Sequence, residues 1–177
     1  MHIMLDLETL GVAPGCTILS IGAVRFDADG VQDDVFDRVI SRASCQRMGL
    51  TEDPGTLDWW DRQTAEARVT LNAANVFGAT PIGEALADFR VWYFKADRSP
   101  VWGNGADFDL PILAAAYRAC GYNGPPWLPY DGRCYRTVKN MSHSKIERRF
   151  GSTHHNAVDD ARNQAEHLIK IWKELSV

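Results

Sequence analysis

Residues 2–9, His-Ile-Met-Leu-Asp-Leu-Glu-Thr, constrain the fold more than any other stretch of the chain. Ile3, Met4 and Leu5 suit a short buried strand. That strand runs on into Asp6 and Glu8, with one apolar residue between them. Side chains two apart in a strand share a face, so the two carboxylates stand side by side next to a core. Paired anions there are costly unless something neutralises them. An oxygen-seeking divalent ion, Mg²⁺ or Mn²⁺, meets that need. A charged strand end wetted by solvent is the alternative, and D-x-E alone does not choose between them.

The segments that follow suit a mixed sheet. Residues 11–15 are a loop by composition. Cys16 to Asp27 reads as a strand, Asp29-Gly30 as a hairpin turn, and Val31 to Ile40 as the returning strand, giving an antiparallel meander. Residues 41–55 look irregular. Thr56 is expected to cap a short helix through Gln63, and Ala65 to Leu71 to form another. Thr80-Pro81 reads as the cap and first position of a helix carrying Ile82, Leu86, Phe89 and Tyr93. A short strand, Ser99 to Gly103, precedes a helix from Asp107 to Cys120 that stops at Gly121. Arg133 to Val138 reads as a last strand, Ser144 to Phe150 as a short basic helix, and Asn156 to Leu175 as the longest helix. Strands first, then helices, then β-α-β-α, predict one α/β domain over residues 1–177.

Composition excludes several classes. No apolar run reaches the ~18–20 residues of a membrane span. The N-terminus has no basic region followed by a long apolar segment, so no secretory signal is expected. Cys16, Cys45, Cys120 and Cys134 are scattered without a C-x-x-C pair. They read as reduced thiols of a cytoplasmic protein. A net charge of −4 argues against broad non-specific duplex binding.

Further carboxylates stand where they can meet the first pair. Asp107 and Asp109 lie at one helix start, Asp159 and Asp160 at another, with His154 and His155 just before. Helix starts favour negative charge for structural reasons alone, which leaves each of these open on its own. Taken together, Asp6-x-Glu8-Thr9, Phe108-Asp109-x-x-Ile112-Leu113 and His155-x-Ala157-x-x-Asp160-Ala161 resemble the ordered signature of the DEDDh, or DnaQ-like, 3′–5′ exonucleases. The middle of the chain, Thr56-x-x-Trp59-Trp60-x-x-Gln63 with Ala67-Arg68 and Trp102-Gly103-x-Gly105, resembles the small stand-alone bacterial and phage members. Asn104-Gly105-Ala106 departs from the His-Asn commonest before the second motif.

The resemblance implies a ribonuclease H-like fold with a mixed five-stranded sheet, the first three strands antiparallel and the later strands parallel, flanked by helices. It selects Asp109 over Asp107, Asp160 over Asp159 and His155 over His154. It also implies two Mg²⁺ or Mn²⁺ ions held by Asp6, Glu8, Asp109 and Asp160, with Asp6 shared by both, and His155 as general base. Imidazole, with an unperturbed pKa of ~6.5, suits proton transfer near neutrality. The substrate implied is a single-stranded DNA or RNA 3′ end, released as nucleoside 5′-monophosphates. Candidate substrate contacts are Thr9, Leu10, Trp59, Trp60, Asn104, Phe108 and Arg136. Trp59 and Trp60 suit base stacking or, equally, the core and an interface; a homodimer is the assembly expected from small relatives. Lys139, Lys145, Arg148 and Arg149, near His143, form a basic patch that suits either a strand path or a solvated face. Two other readings remain: a phosphatase with a D-x-D-type nucleophile, which the glutamate at position 8 disfavours, and a binding module without catalysis.

Overall fold

The computed structural model describes residues 1–95, 98–147 and 155–175. In chain order the elements are β1 (His2–Thr9), β2 (Ile18–Phe26), β3 (Val31–Val39), α1 (Arg42–Arg47), α2 (Pro54–Asp61), α3 (Val69–Ala74), α4 (Ile82–Tyr93), β4 (Val101–Gly103), α5 (Asp109–Ala119), β5 (Gly132–Cys134), α6 (Tyr135–Met141) and α7 (Ala157–Leu175). The strands form one five-stranded sheet in the order β3-β2-β1-β4-β5. β1, β2 and β3 pair antiparallel, whereas β4 joins β1, and β5 joins β4, in parallel. This is the mixed sheet expected from the sequence.

The period of two in β1 sorts its side chains. Ile3, Leu5 and Leu7 pack on one face with Ile21 and Ala23 of β2, Leu86 and Phe89 of α4, and Leu113 and Tyr117 of α5. Met4 faces the other side, with Val24 and Phe26 of β2 and Ala161, Ala165 and Leu168 of α7. Burial of each large apolar side chain contributes about 1.5–3 kcal/mol. On that second face the apolar run ends at Met4, and Asp6 and Glu8 take over beneath the start of α7. Gly22, paired with Asp6, is what lets the helix come so close. A Cβ there would lie 2.2 Å from the Ala157 carbonyl carbon and the Val158 nitrogen.

Several local expectations need correction. The last strand stops at Cys134, and Tyr135 to Val138 belong to α6. β4 offers three partners only, Val101, Trp102 and Gly103, so the ladder has nothing further to pair with. Residues 142–147 are irregular, not helical, and the Ser142 hydroxyl accepts from the Ser144 N–H at 2.9 Å, a local bond that competes with helix. The remainder of that expected helix, 148–150, lies outside the described residues. Asp53, not Thr56, caps α2, taking the Thr56 N–H at 2.7 Å, with Pro54 in the first turn. Thr80 does not cap α4; the Ile82 N–H is taken by the Ser44 hydroxyl at 2.9 Å. Ser44 belongs to α1, a helix within the stretch expected to be irregular. The helix expected at 65–71 is displaced to α3, after a turn in which Thr64 Oγ1 accepts from the Ala67 N–H at 3.3 Å.

Candidate active site

Asp6, Glu8 and Asp160 each offer a carboxylate oxygen within 4.8 Å of the others. β1 supplies the first two from one face, and the first turn of α7 lowers the third onto them across Gly22. Asp109, at the start of α5, is held differently. Its Oδ1 accepts the Leu7 N–H at 3.2 Å and its Oδ2 the Asn104 N–H at 2.7 Å. Gly103 permits this, since a Cβ there would stand 3.0 Å from Asp109 Oδ2. Gln164, one turn beyond Asp160, donates its amide to Asp6 Oδ1 at 2.7 Å. His155 precedes α7 with a φ of 60°, uncommon for a residue with a Cβ. Its Nδ1 lies 4.0 Å from Glu8 Oε2. Its ring meets Trp59 edge-on at 5.0 Å and Trp60 at 5.8 Å between centroids.

Burial and mutual repulsion oppose full ionisation of the cluster. Burial, followed by the charges of Asp109, Glu8 and Asp160, pushes the Asp6 carboxyl well up, opposed by the Gln164 hydrogen bond. Burial, with Asp160 and Asp109, raises Glu8 to about 8. Burial raises Asp109 to about 6, while the Asn104 and Leu7 N–H groups hold it back. Several oxygens that resist shared ionisation, converging on one point, are the donor set of a hard divalent ion. The residues therefore fit Mg²⁺ or Mn²⁺.

Asp6, Glu8, His155, Asp160 and Gln164 line a cleft of about 640 Å³, whereas Asp109 is buried behind its lining. The family model described as "3'-5' exoribonuclease Rv2179c-like domain" matches residues 1–172. The chain belongs to that family. It is 26% identical over 124 residues to the exodeoxyribonuclease of Enterobacteria phage T4, a match that covers 65% of this chain and 55% of the phage protein. The chain thus spans about half the length of that relative. Its fold is similar to that of Exonuclease X in complex with 5′ overhanging duplex DNA, with a TM-score of 0.61 and 17% identity, over 100% of this chain and 94% of the other. At that identity the likeness speaks for the fold, which is ribonuclease H-like.

Within this exoribonuclease-like domain, Thr9, Trp59, Trp60, Asn104 and Phe108 line the same cleft as Asp6, Glu8, His155 and Asp160. Trp60 is buried and donates its indole N–H to the Thr9 carbonyl at 2.9 Å, pinning α2 to the end of β1. Trp59 remains 39% exposed, enough to present a ring face to a ligand. Leu10 does not reach the cleft. It is fully buried against Leu19, Trp60 and Ala74. Arg136 stands on α6, not on a strand, and donates to the Asn104 carbonyl at 2.7 Å. Asp107 is exposed, and Asp159 is close enough to Asp37 to help raise that carboxyl, away from the cluster. Of the basic patch, Lys139 lines the cleft, and His143 and Lys145 are exposed. Arg148, Arg149 and His154 lie outside the described residues. Sequence reasoning missed Gln164, although its spacing of four from Asp160 puts both on one helix face.

Proposed function

We propose that the protein is a divalent-metal-dependent 3′–5′ exonuclease acting on single-stranded nucleic acid, with residues 1–177 as one working unit. The observation that carries this reading is the convergence of Asp6, Glu8 and Asp160 within 4.8 Å, with His155 beside Glu8. Membership of an exoribonuclease-like family supports it. Asp6, Glu8 and Asp160 would hold one ion. Asp6 and Asp109 would hold a second, the latter less tightly because both of its oxygens already accept backbone N–H groups. Bound Mg²⁺ or Mn²⁺ supplies a more acidic water and neutralises charge on the leaving oxygen.

The chain's own residues do the rest. Gln164 keeps one Asp6 oxygen oriented. His155, held between Trp59, Trp60 and Glu8, accepts the proton of the attacking water at a ring nitrogen. Trp59 stacks on a base, a contact worth about 1–3 kcal/mol that tolerates any sequence. Asn104 and Phe108 border the terminal nucleotide, and Lys139 and Arg136 meet phosphate oxygens. The products are nucleoside 5′-monophosphates. A cytoplasmic setting suits the four free cysteines. Among the described residues no helix is long and apolar enough to cross a membrane. A homodimer belongs to the same reading, and the exposed Val69, Val76 and Phe77 offer an apolar surface for it.

The test is digestion of 3′-labelled and 5′-labelled RNA and DNA with Mg²⁺, Mn²⁺ or EDTA. Release of a labelled mononucleotide first from the 3′ end, only with metal, is the expected result. Undiminished hydrolysis in EDTA, or release from the 5′ end, removes the reading; the RNA and DNA arms set the sugar preference.

A further inference from the structure

On the far side of the Asn104-Gly105-Ala106 turn lies a second cleft, of about 1060 Å³, larger than the acidic one. Among the described residues its charged lining is Arg90, Arg118 and Arg133, with no carboxylate. Among the described residues none of the three makes an ion pair. Arg90 lies over the Phe94 ring, and Arg133 donates to the Tyr130 and Gly132 carbonyls and lies within electrostatic reach of Asp131, so both guanidiniums are braced. Trp127 and Tyr122 add aromatic walls.

The two clefts are continuous along the chain. Asn104 lines the acidic cleft, and Gly105 and Ala106 line the basic one. Arg136 sits at the junction, donating to Asn104 and closing over Gly105, whose φ of +139° suits the bare backbone there. α5 spans both: Asp109 starts it at the acidic end, and Arg118 stands nine residues on, about 14 Å along the axis. Leu110, Pro111 and Ala114 form the floor between them. Positive charge therefore stands at both ends of α5, Arg136 beside the carboxylates and Arg118 at the far end.

We infer that this second cleft binds the phosphodiester backbone of the same single strand, 5′ of the nucleotide held in the acidic cleft. This rests on the exonuclease reading for the direction of the strand, though not for the binding itself. Cations along a backbone contribute sequence-independent affinity by releasing counterions, which suits an enzyme that must accept whatever nucleotide comes next. The arrangement also sets a length preference: a strand long enough to reach Arg118 is held at both ends of α5, and a dinucleotide at one.

The test is fluorescence anisotropy of a labelled oligonucleotide of roughly 12 nucleotides and of a dinucleotide, in EDTA across a salt series, so that turnover plays no part. The double variant Arg90→Ala with Arg118→Ala is compared with wild type and with Arg90→Lys, Arg118→Lys. Loss of two contacts should weaken the longer strand about tenfold and flatten the salt slope by roughly 1.4. The dinucleotide should be unaffected, and the lysine variant should recover the slope. Equal affinity and slope in wild type and alanine variant, or a parallel loss for the dinucleotide, overturns the inference. A wild type that binds through these arginines yet hydrolyses nothing in Mg²⁺ upholds the cleft and removes the exonuclease reading instead.

Discussion

The two halves of the acidic cluster are built by opposite means. Asp109 is fastened by backbone: two N–H groups, from Leu7 of β1 and from Asn104 after β4, grip its two oxygens. Its position therefore follows from pairing within the sheet, which is hard to disturb locally. Asp160 arrives on a helix, and its place depends on how closely α7 docks over Gly22. His155 shares that dependence, since it leads into the same helix. A site assembled from one half set by hydrogen bonding and one half set by packing has an asymmetric weakness. Small changes in volume beneath α7 should damage it more than comparable changes around Asp109.

The largest effects test whether the cluster acts as a unit. Asp6→Ala and Asp160→Ala should reduce nuclease activity to background, as should EDTA, whereas Asp159→Ala and Asp107→Ala should stay near wild type. Single-turnover rates at saturating Mg²⁺ are the measurement, and a severe Asp159→Ala would mean that the other face of the α7 start carries the chemistry. Next comes His155→Ala, expected to lower the rate by roughly 10²–10⁴, the usual worth of a general base. Metal affinity, followed by titration calorimetry, should change little. A defect that disappears with more Mg²⁺ would make His155 a ligand and not a base.

Gly22→Ala probes the comparison directly. Its new methyl meets the backbone of Ala157 and Val158, which cannot rotate away, so α7 must lift. We expect a loss of about 1–3 kcal/mol in stability, as for overpacking in cores, together with weakened metal binding. Gly103→Ala meets the Asp109 carboxylate at 3.0 Å instead, a tighter fit than usual but a milder one. Denaturant melts and metal titrations of both variants rank the two halves. A Gly103→Ala protein that is the more damaged would reverse the assignment of the weak side.

How much of this was legible in the sequence varies with the physics behind each residue. Asp6 and Glu8 follow from the period of a strand, which no tertiary contact alters. Asp109 and Asp160 were separable from Asp107 and Asp159 only through the motif resemblance. Asp159 and Asp160 are adjacent helical residues that point about 100° apart, and which of them faces the sheet is decided by docking, through a glycine more than a hundred residues away. The glycine itself read as one more strand position. Tyr135 to Val138 looked like strand because β-branched and aromatic residues suit either element, and what ended the strand was the length of its neighbour. The basic cleft was invisible, because Arg90, Arg118 and Arg133 come from separate segments with no spacing in common.

The smallest expected effect concerns the metal-free protein and pH. Glu8 has an ordinary value of 4.5, raised in the folded state to about 8. Between those values the folded protein binds more protons than the unfolded one, so stability falls as pH rises. The contribution is complete below about 4.5 and is lost by about 8. Asp109 adds a narrower window of the same sign, from 3.8 to about 6. A single group's full shift is an upper bound, because protonating one member of the cluster relieves the others. A net loss of about 1–2 kcal/mol from pH 5 to pH 8 in EDTA is the expected size, or a few degrees in Tm for a chain of this length. Glu8→Gln should flatten that slope, since an amide carries no proton to lose. Saturating Mg²⁺ should reverse it, because deprotonated carboxylates bind the ion and metal uptake releases protons. Thermal melts of both proteins at the two pH values, with and without Mg²⁺, are the measurement. A wild-type protein that gains stability with pH in EDTA would mean that the cluster is open to water, and that the convergence of Asp6, Glu8 and Asp160 is looser in solution than their 4.8 Å spacing implies.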